Sequence, residues 1–107
     1  MARSLKTVRI VAFVDDLMDR SKIATAVPDI DFAPAPDACA GADVVVVDLG
    51  GHADAVAELR RLAPGARIVA FGRHDNPEAL AQAREDGADD ALPRSRFFRD
   101  PGRAVTP

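Results

Sequence analysis

The sequence is poor in the groups that build disulfide-bonded, zinc-held or membrane-spanning proteins. Cys39 is the one cysteine, so an internal disulfide is excluded and a reducing cytosol is the expected setting. That cysteine and two histidines, His52 and His74, give no Cys/His spacing of the kind that holds structural zinc. No apolar run approaches the roughly 20 residues that cross a bilayer. Arg3 and Lys6 are followed by an apolar stretch that reads as a strand and not as a signal-peptide core. Repeats, linkers and low-complexity blocks are missing too. A cytoplasmic protein without a membrane partner is expected, and 107 residues suit a single domain, 1–107, with one core.

What is present is a pair of hydrophobic runs that each end in aspartate. Val8-Arg9-Ile10-Val11-Ala12-Phe13-Val14 meets Asp15-Asp16, and Val44-Val45-Val46-Val47 meets Asp48. Runs of this composition predict strands buried on both faces of a parallel sheet. In open α/β sheets, ligands gather beyond the carboxyl ends of the strands. Three carboxylates are therefore expected at the edge where chemistry occurs. Held close, they repel unless a divalent cation or a Lys or Arg joins them. The plainer alternative is a helix cap and salt-bridged acids.

Charge is unevenly spread. The chain carries −3, but residues 91–107 carry +3 through Arg94, Arg96, Arg99 and Arg103 against Asp100, leaving −6 for the rest. With Phe97 and Phe98, this tail could meet nucleic acid or an acidic partner, or its arginines could simply be solvated or paired locally. No larger basic surface is expected, so DNA binding by this chain alone is not.

Strand and helix alternate along the chain. A strand over 8–14 leads to a helix over 16–27 with Leu17, Arg20, Ile23, Ala24 and Val27 inward, stopped by Pro28. A short strand over 30–33 precedes a Pro/Ala stretch, either loop or one turn capped by Asp37. The strand over 43–47 is followed by Gly50-Gly51, read as a turn that breaks the backbone, since it lacks the lysine and longer glycine pattern of a phosphate loop. A helix over 53–63 turns Val56, Leu59, Leu62 and Ala63 inward and ends at Pro64-Gly65. After a strand over 67–71, Asn76-Pro77-Glu78 marks a helix start. That helix, over 77–86, buries Leu80, Ala81 and Ala83 or the Arg84 stem and ends at Gly87. A strand over 90–92 completes the set. Such alternation implies right-handed crossovers and a parallel sheet with helices on both faces.

Pro101, Gly102 and Pro107 argue against a helix in the tail. The sheet should then lack its last covering helix, leaving an apolar face beside the first helix through which a homodimer could form. Of the adjacent Phe97 and Phe98, one is expected to cover the sheet and the other to be left for a partner. Cys39 reads as a small buried hydrophobe. His74, just past the fourth strand, is near enough to the functional edge to touch a ligand, although a lone loop histidine is more commonly polar surface; His52 offers less.

Three segments together resemble the receiver domain of bacterial two-component response regulators: Phe13-Val14-Asp15-Asp16, Val46-Val47-Asp48-Leu49 and Gly87-Ala88-Asp89-Asp90-Ala91-Leu92-Pro93-Arg94. The resemblance covers about residues 7–96, leaving 97–107 as a basic, aromatic tail. It implies an α/β, flavodoxin-like sheet of five parallel strands in order 2-1-3-4-5, here with a truncated C-terminus. It also implies a phosphorelay role, with Mg2+ on Asp15 and Asp16 and a phosphoryl group accepted by Asp48 from a histidine kinase. The backbone carbonyl of Gly50 would be a further metal ligand. Magnesium prefers oxygen ligands and screens an incoming phosphoryl group, while a carboxylate can form the acyl phosphate.

Departures from the receiver pattern are equally specific. Gly72 stands where receivers carry Ser or Thr to bind the phosphoryl oxygen. Arg94, followed by Ser95, stands where they carry Lys, and arginine's planar fork does not replace an ammonium atom for atom. Arg94 is the expected counter-ion of Asp48. The entry Leu49-Gly50-Gly51-His52 lacks the usual proline-containing loop. Two readings follow: a phosphorylated receiver-like signalling protein, or a phosphorylation-independent pseudo-receiver that contacts a downstream protein. An enzyme is not expected, because the chain is small for a substrate pocket and lid.

Overall fold

The computed structural model describes residues 8–106. Five parallel strands form one sheet in the order β2-β1-β3-β4-β5: β1 Ile10–Phe13, β2 Asp31–Phe32, β3 Val44–Asp48, β4 Arg67–Gly72 and β5 Asp90–Pro93. β1 and β3 align Val11 with Val45 and Phe13 with Val47, and β3 and β4 align Val45 with Ile68. The expected order and the parallel sheet are both present.

Because side chains alternate across a strand, each Val run feeds two cores. Val11, Phe13, Val45, Val47, Ile68 and Ala70 face α3 (Val56–Leu62) and α4 (Pro77–Glu85), where Val56, Leu59, Leu80 and Ala83 meet them. Ala12, Val14, Val44, Val46, Val69 and Phe71 face the other way, toward Ile23 of α1 (Leu17–Ala26), Val27 and the C-terminal segment. Burial on both faces explains why these strands read as unbroken apolar runs.

Helix boundaries follow their caps. Asp16 Oδ2 accepts the Asp19 N–H at 2.9 Å to start α1, and Asn76 Oδ1 accepts the Ala79 N–H before Pro77 opens α4, as capping rules require. Gly87 has φ +120°, and a Cβ there would lie 2.9 Å from the Arg60 side chain, so α4 must end in glycine. Pro36–Cys39 forms a 3-10 turn with Cys39 fully buried.

Three expectations about elements need correction. Gly50-Gly51 does not break the backbone: α2 (Leu49–His52) begins directly after β3, capped by Asp48 and continued by a 3-10 turn over Ala53–Ala55. The first helix also turns differently from the expected stripe. Leu17 is 77% exposed, whereas Asp19, at 4%, shares the inner face with Ile23 and Val27.

The third correction concerns the tail, which forms α5 (Arg94–Arg99) and α6 (Pro101–Ala104). Pro101 occupies the first turn, where its missing N–H costs nothing, and Asp100 Oδ1 accepts the Arg103 N–H at 3.2 Å. Phe97 and Val105 are buried against the sheet, with Phe98 and Ala104 packed beside them. The sheet face beside α1 is therefore covered, and the expected homodimer loses the bare surface on which it rested. Nor are the two phenylalanines divided between core and partner, since both rings lie on Phe71, one stacked at 4.8 Å and the other edge-on at 5.1 Å.

Candidate functional site

An open cleft of about 640 Å³ lies beyond the carboxyl ends of the strands, lined by Asp16, Asp19, Asp48, Gly50, Gly72, Arg73, His74, Arg94 and Ser95. Each acid reaches it from a strand end or the first turn of the following helix, the place where open α/β sheets bind ligands. All but one of the expected site residues line it, and the exception is Asp15.

The acids have separate tasks. Asp48 is half-buried, and its Oδ1 accepts the Gly50 N–H at 2.8 Å, capping α2. Asp16 caps α1. Asp15 Oδ2 lies 2.8 Å from His52 Nε2, and the His52 ring stacks on Phe13 with centroids 3.8 Å apart. Among the described residues, no group of three or more His, Cys, Asp or Glu stands close enough to hold a metal ion. In this arrangement the donors do not fit the Mg2+ set that the resemblance implies. Two of the three carboxylates share the cleft, and the third is bonded outside its lining.

Arg94 is also committed elsewhere. Its guanidinium gives Asp19 two hydrogen bonds, Nη1 to Oδ2 at 3.0 Å and Nη2 to Oδ1 at 2.7 Å. It lies over the Phe71 and Phe98 rings at 5.4 and 5.2 Å, a geometry suited to a planar cation. The hydrogen bonds to Asp19 raise its pKa against the opposing effect of burial, and the fields of Asp19, Asp48 and Asp16 add to the rise. Asp48 is thus within electrostatic reach of Arg94, but the direct partner is Asp19, which corrects the expected pairing. At Gly72, an added Cβ would sit 3.3 Å from Leu49 Cβ and Cδ1 and 3.4 Å from Leu80 Cδ2. A serine or threonine there would press on Leu49 and Leu80, which would have to give by a few tenths of an ångström.

No protein-family model and no curated protein matches the sequence. Solved structures do. A response regulator from Burkholderia pseudomallei, determined with a phosphorylated aspartic acid, a calcium ion and citrate, superposes with a TM-score of 0.78 at 20% identity, covering 94% of this chain and 67% of its own. A response regulator receiver domain from Clostridium thermocellum gives 0.76 at 16% identity over 92% and 91%. A pilus assembly-related protein, also from B. pseudomallei, gives 0.70 at 18% identity over 92% and 86%. The fold is that of a receiver domain. At these identities the likeness is one of architecture, and the residues in the cleft must speak for their own chemistry.

On the receiver fold, Asp16 and Asp48 line the cleft as the sequence implied, whereas the lining residues Asp19 and Arg73 were missed and the contact of His52 with Asp15 was undervalued. Asp19 could have been found: it lies four and eight residues before Ile23 and Val27, so an acid on that buried stripe signals a partner cation. His52 gave a fainter signal. Only the pairing of β1 with β3, which puts Phe13 opposite Val47, brings the residues after both strands together. His74 and Ser95 line the cleft as expected of that edge, and Arg73 is held by Asp75 through two bonds of 2.9 and 2.8 Å.

Proposed function

We propose that this chain is a receiver-fold signalling module that works through protein contacts without phosphorylation of Asp48. The receiver fold supports a signalling role in a phosphorelay setting. The observation that carries the finer reading is the engagement of Arg94 by Asp19. A phosphoryl group on Asp48 needs a cation beside it, and here Arg94 is fixed on a buried acid and lies over two aromatic rings, while Arg73 is bonded to Asp75. The crowding at Gly72 and the separated carboxylates point the same way.

In this reading the module is not an enzyme, and its partner is a protein, either a kinase that no longer transfers phosphate to it or a downstream component. The aromatic and apolar groups of the tail cover the sheet while Arg96, Arg99 and Arg103 stay exposed, and DNA binding by this chain alone is not part of the proposal. Among the described residues no helix is long and apolar enough to cross a membrane; a cytoplasmic setting is part of the proposal. A second reading, phosphoryl transfer to Asp48 with Mg2+, is favoured by the presence of Asp16 and Asp48 in one cleft and by the phosphorylated aspartic acid in the matched Burkholderia regulator.

Amide spectra of the labelled chain, recorded with magnesium and then with magnesium plus beryllium fluoride, separate the two. The pseudo-receiver reading expects no specific shifts at Asp48, Gly50 and Gly72. Shifts there that disappear in Asp48→Asn would sink it.

A further inference from the structure

One short segment, residues 48–52, contacts two of the three strand-end acids, Asp48 and Asp15, and packs against Gly72. We propose that α2 is a latch that holds the carboxylates apart, with His52 as its catch. The inference rests on the reading that the chain at rest binds neither metal nor phosphoryl group, and it assigns the cause of that behaviour to residues 48–52.

At the start of the segment, Asp48 Oδ1 is occupied by the Gly50 N–H at 2.8 Å. In its middle, Leu49 packs against Gly72, 3.3 Å from where a Cβ would sit. At its end, His52 Nε2 holds Asp15 Oδ2 at 2.8 Å. The two partners in that last bond differ in freedom. The His52 side chain is 19% exposed and stacked on Phe13, while the Asp15 side chain is 69% exposed. The histidine is therefore the anchored member, and the carboxylate follows it.

The helix that makes these contacts is weak by itself. It has four residues, two of them glycine, the poorest helix former after proline, and a single turn lies below the length at which helices stand alone. It persists because Asp48 caps it, Leu49 is buried and His52 is stacked. Unwinding it would free Asp15, uncap Asp48 and relieve the packing at Gly72 together. The acids' separation and the folding of α2 are one equilibrium, so a contact that loosens residues 49–52 would let the three carboxylates gather.

The test uses manganese(II) as a paramagnetic divalent probe on the full chain and on His52→Phe, which keeps a ring on Phe13 but removes Nε2. His52→Ala serves as a second variant, and the amide spectrum of each reports whether the fold is kept. Binding is read as concentration-dependent broadening at Asp15, Asp16 and Asp48. The latch predicts tighter binding in both variants, on the order of fivefold, the worth of one hydrogen bond, and loss of that gain when Asp15→Asn is added. Equal broadening in the unaltered chain and the variants, at any level including none, overturns the latch. Tight binding by the unaltered chain would instead contradict the resting state proposed above, and the ratio between proteins would still judge the latch.

Discussion

At position 19 an acid stands where the helix stripe asks for an apolar side chain. Burying a carboxylate is costly unless a cation and hydrogen bonds compensate, and Arg94 supplies both. Removing the acid strands a guanidinium over two aromatic rings. Fully buried pairs lose about 3–5 kcal/mol when one partner goes; Arg94, 39% exposed, can recover some water. Asp19→Ala should therefore cost about 2 kcal/mol in urea unfolding, read as a lower midpoint at constant slope. A loss below about 0.5 kcal/mol would mean that the pair is surface decoration.

Gly72 makes a second claim at the same scale. Restoring the receiver-like hydroxyl by Gly72→Ser should destabilise by about 1–2 kcal/mol through overpacking against Leu49. In a Leu49→Ala background the added cost should shrink, because the two sites share one space. Additive effects would show that the leucine is not what crowds the hydroxyl. That the three aspartates sit at strand ends was legible in the apolar runs before them. The pairings around them were not, since Arg94 meets Asp19, His52 meets Asp15 and Leu49 meets Gly72 only through packing between distant segments.

Among the elements, the tail shows where local propensity misleads. Pro101 and Gly102 argue against helix by composition, yet α6 forms because Asp100 caps it, Pro101 takes a tolerated position and Val105 is buried. Phe97→Ala should cost about 3–5 kcal/mol, the range for a fully buried aromatic, and should bring the apolar sheet beside α1 into contact with solvent. Dye binding or amide exchange at Ile23 and Val69 would report this; an unchanged unfolding midpoint would mean that the tail does not cover the sheet. The α4–β5 corner is more faithful to its sequence, because Asn76, Pro77 and Gly87 act locally.

Asp89 ties that corner to β4, accepting the Ile68 N–H and an Arg60 N–H at 2.8 Å each. Burial alone would raise its pKa, but these bonds and the field of Arg60 lower it on balance. A folded pKa below the unfolded value of about 3.9 gives stability that is present above that pH and lost as pH falls through the folded value. Acid titration of stability should therefore show a decline beginning near pH 4, and in Asp89→Asn the decline in that window should be shallower. An identical profile in the variant would remove Asp89 from the account.

For the molecule as a whole, parallel strands and a cleft at their carboxyl ends follow from apolar runs separated by capped helices, while the strand order was implied by the resemblance to receiver domains. The state of the cleft was not. The same three aspartates suit a metal-dependent phosphoacceptor or a set of caps and ion pairs, and only the placement of α2, Arg94 and Asp19 distinguishes them. The central claim is that Asp48 is not a phosphoacceptor in the chain at rest. Incubation of the full chain with magnesium and a small-molecule phosphodonor, followed by intact-protein mass spectrometry, tests this directly. The account predicts an unmodified mass; one added phosphoryl group that is absent from Asp48→Asn would contradict it.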